Sequence, residues 1–185
     1  MKKIALVALA TTALASSPAF AADEDSASFE LGGTVQEQCH LEAPTDAAFG
    51  TFNLMNGADD VPGEEALLIN NGSQTAINGT LWMSCNYAAK ITVEGDGMST
   101  ASGAETNDSD DFTNVIHYRV DITPTDGSFS NFRHQTSARS VTTQDVPGAF
   151  HDQAGFKVYV DGDDNGKRPI AGVYSDTATV TIGPV

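Results

Sequence analysis

Basic residues are scarce in this chain. Nine lysines and arginines stand against 25 aspartates and glutamates, a formal net charge of −16 over 185 residues. A surface of that sign repels nucleic acid and anionic lipid, so neither is an expected partner. Cysteine is scarcer still: Cys39 and Cys85 are the whole complement, with no Cys-x-x-Cys spacing, which argues against a catalytic thiol. No Gly-x-Ser-x-Gly, Walker-type loop, His-Glu-x-x-His or dinucleotide fingerprint occurs. The four histidines, His40, His117, His134 and His151, stand far apart and read as polar strand or loop residues rather than a zinc set. Asp59-Asp60 and Asp110-Asp111 sit in acidic, loop-like stretches, and no nucleophile has a base beside it. The chain is not expected to be an enzyme, and no cofactor is expected. After the first 21 residues it has no long apolar run, so no membrane insertion is expected either.

What is present begins with Met1-Lys2-Lys3, an apolar stretch from Ile4 to Leu14, and the small-x-small sequence Ala19-Phe20-Ala21. These predict a signal peptide over 1–21 and a protein exported through the periplasm to the cell surface. Taking Lys2 and Lys3 from the nine cations leaves seven against 25 acids, so the mature chain carries −18. In an oxidising compartment the even cysteine count predicts a Cys39–Cys85 disulfide. Its loop of 46 residues makes it worth about 4 kcal/mol in the chain-entropy description. Length alone suggests one domain.

The middle of the chain is strand and turn. Ile77, Gly79, Leu81, Met83 and Cys85 alternate with Asn78, Thr80, Trp82 and Ser84; Ile91 and Val93 continue after a turn at Tyr87–Ala89. Ile116, Tyr118, Val120 and Ile122 alternate with His117, Arg119 and Asp121, and Phe156, Val158 and Val160 with Lys157 and Tyr159. Phe49-Gly50-Thr51-Phe52 reads as a short aromatic strand. Asp96 to Asp111, rich in Ser, Thr, Gly and Asp, reads as a long exposed loop. The clearest signal is the end of the chain. From Gly172, residues Tyr174, Asp176, Ala178, Val180 and Ile182 alternate with Val173, Ser175, Thr177, Thr179 and Thr181 in one long strand that stops at Gly183-Pro184. Many short strands, Gly-rich turns and no sustained helical period predict an all-β sandwich or barrel.

One motif invites a metal. Asp161, Asp163 and Asn165 occupy the first, third and fifth positions of a calcium loop, with Gly166 at the sixth. The twelfth position holds Gly172 instead of a bidentate Glu, and Lys167 and Arg168 follow, so a solvated turn is the plainer reading and calcium the alternative.

Four segments resemble the spore coat protein U domain, the fold of subunits in archaic-type chaperone–usher pili. Thr34-Val35-Gln36-Glu37-Gln38-Cys39 resembles that family's first strand running into its cysteine. Ala48-Phe49-Gly50-Thr51-Phe52 resembles its Phe-Gly-x-aromatic strand. Gly79–Cys85 followed by Ala89–Val93 resembles the strand ending in the second cysteine and its successor. Pro169–Ile182 resembles the closing Ala-Gly-x-Tyr-x-Asp-Thr-Val-Thr-Val strand, with Ala178 in place of the usual valine. The resemblance implies an immunoglobulin-like β-sandwich over 34–185 that lacks one strand and is completed by donor-strand exchange. It implies three partners: a periplasmic chaperone, an outer-membrane usher, and other pilus subunits. In the extension at 22–33, Ala27, Phe29 and Leu31 alternate with small and polar residues and are the candidate donor side chains. Tyr174, Ala178, Val180 and Ile182 are the candidate groove lining. The competing expectation is a self-complete secreted sandwich that binds calcium or a glycan, with Trp82, Tyr87, Tyr118 and Tyr159 as stacking candidates.

Overall fold

The computed structural model describes residues 26–52, 54–56, 66–69, 75–100, 108–161 and 166–185. The expected signal peptide at 1–21, Asp163 and Asn165 lie outside the described residues. Fifteen strands and no helix occur among the described residues, in the order β1 (Cys39–Leu41), β2 (Leu54–Asn56), β3 (Ala66–Ile69), β4 (Thr75–Cys85), β5 (Ala89–Glu94), β6 (Met98–Thr100), β7 (Phe112–Thr113), β8 (Val115–Ile116), β9 (Tyr118–Thr123), β10 (Phe132–Gln135), β11 (Val141–Val146), β12 (Phe150–Val160), β13 (Arg168–Pro169), β14 (Tyr174–Ser175) and β15 (Thr179–Pro184). The chain divides into two units, Met1–Val35 and Gln36–Val185. In the first, residues 26–35 form no strand and are exposed.

The second unit is all-β. A five-stranded antiparallel sheet runs β1-β4-β12-β9-β10, and a three-stranded one runs β11-β5-β15. Alternation places one face of each sheet inward. Leu81 and Met83 from β4, Ile91 and Val93 from β5, Val120 and Ile122 from β9, Phe132 from β10 and Phe156 and Val158 from β12 share one buried cluster, the arrangement of a β-sandwich. Burial of these branched and aromatic side chains is the main favourable term, at about 1.5–3 kcal/mol for each fully buried one. Cys39 faces Cys85 in register and the two are disulfide-bonded, joining β1 to β4 across a separation of 46 residues.

Several sequence expectations are corrected. The segment from Thr34 is not a strand before Cys39. β4 ends at Cys85, so the preceding residues have no ladder to join; the Asn86 side chain accepts from Gln38 N at 2.8 Å and donates to Gln36 O at 2.8 Å in its place. Phe49–Phe52 is not a strand, because Gly50 sits at φ +68°, in the left-handed region that breaks an extended run. The expected loop from Asp96 contains β6, with Met98 and Thr100 buried. The long closing strand is two strands. β14 pairs with β6, whereas β15 pairs with β5, and Asp176–Ala178 between them join no ladder. His134 lies on a strand, as expected, but is fully buried on β10, its Nδ1 3.0 Å from Thr142 Oγ1.

Candidate functional site

The break in the closing strand begins with one carboxylate. Asp176 Oδ2 accepts from Tyr118 Oη at 2.7 Å, from Gly97 N at 3.0 Å and from Asp96 N at 3.2 Å, while Oδ1 accepts from Thr177 N at 2.8 Å. An aspartate that captures backbone donors competes with the sheet ladder for them. The chain therefore leaves β6 at Ser175 and rejoins the sheet on β5 at Thr179. Gly95 lets the partners close up, since a Cβ there would fall 2.2 Å from the Tyr118 hydroxyl oxygen. Burial, then the hydrogen bond to Asp176, pushes the Tyr118 hydroxyl well above its ordinary pKa of 10.0, so it stays a donor.

After this break β15 runs along the margin of its sheet. Thr179↔Glu94, Val180↔Val93, Thr181↔Thr92 and Ile182↔Ile91 tie one side to β5. Among the described residues its other side pairs with no strand. Val180 and Ile182 point inward and are only half-buried. Beside them opens a cleft of about 570 Å³ whose floor is apolar, built from Ile77, Met98, Val120, Phe156 and Val158 with Val180. Its rim is the unstructured stretch from Pro44 to Gly50 on one side and Asp176–Ala178 on the other. Phe52 meets Tyr174 edge-on with centroids 6.4 Å apart and Phe49 at 5.7 Å, which closes one end. Tyr174 Oη donates to Ile170 O at 2.7 Å, so its ring is fixed at that end.

Of the expected groove residues, Tyr174, Ala178 and Val180 line this cleft, and Ile182 packs against the same core without lining it. Sequence reasoning missed Ile77, Met98 and Phe156 as its floor. All three lie on strands with a clear period of two or buried ends, but which inward residues lack a cover depends on strand order. Ala27, Phe29 and Leu31 lie in the strand-free first unit and are exposed, Phe29 at 79 % and Leu31 at 87 %.

The calcium candidate is placed only at Asp161. It is buried, and its Oδ2 accepts from Gln135 Nε2 and Ser137 Oγ, both at 2.9 Å, which ties the end of β12 to the turn after β10. Among the described residues no three His, Cys, Asp or Glu side chains gather as a metal site, and no helix is long and apolar enough to cross a membrane. Of the candidate stacking aromatics, Tyr118 is buried in the core, Tyr159 lies under Arg119, and Trp82 is exposed. No protein-family model matches the chain, and no curated protein or solved structure matches it.

Proposed function

We propose that this protein is a structural subunit of a secreted surface fibre, an immunoglobulin-like sandwich with one strand missing. The observation that carries this reading is the margin of β15. A strand with one unpaired edge lies beside a cleft whose floor is apolar. A cleft of this volume could hold a small molecule. A wall of free backbone donors and acceptors is better matched by an incoming strand, which adds ladder bonds and drops alternate side chains into the cleft. The exposed Ala27, Phe29 and Leu31, spaced two apart, provide such a strand for a neighbouring copy. Phe29 and Leu31 contribute roughly 1.5–3 kcal/mol each on burial.

On this reading the signal peptide delivers the chain to the periplasm. A periplasmic chaperone covers the groove there, and an outer-membrane usher exchanges it for the next subunit's extension. The resemblance to spore coat U domains supports the same assembly. The test is deletion of Asp23–Leu31 in cells supplying the chaperone and usher. The truncated protein is expected to accumulate as a chaperone-bound subunit without forming polymers, and polymers made from it alone overturn the donor role.

A further inference from the structure

The cleft beside β15 carries charge of one sign. Among the described residues that line it, Asp46 and Asp176 are the charged side chains, and no lysine, arginine or histidine joins them. Asp46 lies exposed on the Pro44–Gly50 rim, and among the described residues no cation pairs with it. Asp176 stands on the opposite rim. Its four donors, from Tyr118, Gly97, Asp96 and Thr177, are all neutral, so its charge is hydrogen-bonded but not cancelled. Two further exposed acids flank that rim: Asp96, whose N–H bonds to Asp176, and Glu94, in register with Thr179 at the start of β15. Lys90, opposite Gly183 on β5, points to the outer face of its sheet and lies 3.8 Å from Asp145. Arg139, in the turn after β10, and Asp176 act on the buried His134 in opposite directions, but Arg139 does not line the cleft. The extension at 22–33 has the sign of the rims. Asp23, Glu24, Asp25 and Glu30 stand among its apolar residues, with no lysine or arginine.

We propose that the cleft prefers a cationic strand from a different protein, one that alternates apolar residues with lysine or arginine, over this chain's own acidic extension. The inference rests on reading the cleft as an acceptor of strands. A strand added to β15 sends every second side chain into the cleft, and its other side chains and its ends pass the two rims. Cations there meet Asp46, Asp176 and Asp96, whereas Glu30 and the Asp23–Asp25 run meet charge of their own sign, which opposes both encounter and pairing. An exposed ion pair changes affinity by up to about fivefold, so the rim acids acting together give a preference of about tenfold. At physiological salt, charges more than about 8 Å away are largely screened, so the acids that decide are those of the rims, and high salt brings the two occupants level. The extension still matches the cleft through Ala27, Phe29 and Leu31, but it enters against like charge and is the weaker occupant at low salt.

The experiment uses the full-length protein and short synthetic peptides. Three share Val, Phe and Leu at alternate positions and carry lysine, glutamate or serine between them. A fourth keeps the lysines and has serine in place of every apolar residue, and a fifth copies residues 22–33. Affinity is measured by calorimetry, and hydrogen exchange follows the β15 amides that do not bond to β5. At about 50 mM salt the lysine peptide is expected to bind at least about tenfold more tightly than the glutamate peptide, to protect β15, and to surpass the 22–33 peptide; at about 500 mM the ratio should fall below about threefold. Asp46→Asn should narrow the preference at least about twofold and Asp46→Lys should abolish it, at unchanged thermal midpoints. Asp110→Asn, at an exposed acid that does not line the cleft, should leave it intact. Equal binding of the three alternating peptides, each protecting β15, leaves the strand-acceptor reading standing and overturns the charge preference. Protection of β15 by none of them defeats both. Lysine-peptide binding without protection, or equalled by the peptide lacking apolar residues, is adhesion to an acidic surface and overturns the proposal. So does a full lysine preference in Asp46→Lys. Tighter binding of the 22–33 peptide assigns the cleft to a second copy and overturns it as well.

Discussion

β12 and β15 have the same kind of sequence and opposite situations. Both alternate, with mostly apolar residues on the inward face, although β12 also buries Asp152 there. β12 lies between β4 and β9, and its inward Phe150, Ala154, Phe156, Val158 and Val160 are all buried. β15 has β5 on one side only, and its inward Val180 and Ile182 remain half-buried, Val180 at the cleft. Alternation therefore states which side of a strand is apolar, and the number of neighbours decides whether that side is covered. The half-covered strand is the one where an added strand would gain most.

The largest test of this contrast removes a central side chain. Phe156→Ala on β12 is expected to cost about 3–5 kcal/mol in denaturant unfolding, because it removes a buried ring and leaves a cavity beneath the cleft. Val180→Ala on β15 is expected to cost roughly 1 kcal/mol, its side chain being only half-buried. Comparable losses at the two positions would end the distinction between covered and uncovered strands.

Reducing the Cys39–Cys85 bridge comes next. A loop of 46 residues sets its contribution at about 4 kcal/mol, and native strain or residual order lowers the measured value. Because the bridge pins β1 to β4, the marginal strand β1 should lose hydrogen-exchange protection before β12 does. Simultaneous loss in both strands contradicts that order.

The junction that turns one closing strand into two is probed by Tyr118→Phe. It deprives Asp176 of its shortest hydrogen bond and should cost about 1–3 kcal/mol, since a charged acceptor loses the donor that the buried Tyr118 supplies. Gly95→Ala should be additionally harmful, because its Cβ would collide with the Tyr118 hydroxyl. If Gly95→Ala is neutral in thermal unfolding, the close approach at that point is wrong.

The smallest effect concerns pH. Burial holds the pKa of His134 below its ordinary 6.5, with Arg139 acting in the same direction and the Gly95 backbone and Asp176 opposing. The folded state thus favours the neutral ring. The resulting stability is fully present above pH 6.5 and is lost as pH falls from there through the folded pKa. A wild-type denaturation midpoint that declines between pH 7.5 and 5, with the decline reduced in His134→Gln, is the expected pattern. Parallel declines in the two proteins would remove His134 as the cause.

Much of the sandwich was legible because its signal is local. The alternation at Ile77–Cys85, Ile116–Ile122 and Phe156–Val160 follows from each residue's own chemistry; the first and last runs lie within β4 and β12, whereas the middle one divides at His117 between β8 and β9. Phe132–Gln135 and Val141–Val146 were not read as strands, since their inward faces include His134, Thr142 and Gln144, which look polar in isolation. The candidate cleft was half legible. Tyr174, Ala178 and Val180 could be read from the period of the closing segment, but Ile77, Met98 and Phe156 come from three other strands whose convergence no local pattern encodes.

The sequence by itself determined the strand-rich class, the acidic charge, the cysteine pair and the apolar faces, because each is a property of single residues or of their spacing along the chain. Only the tertiary structure decided that the closing alternation splits at Asp176, that β15 ends up at a sheet margin, and that Asp46 and Asp176, from distant segments, line one cleft. Those outcomes depend on which strands become neighbours, and neighbour choice is set by long-range pairing and the packing of the whole core.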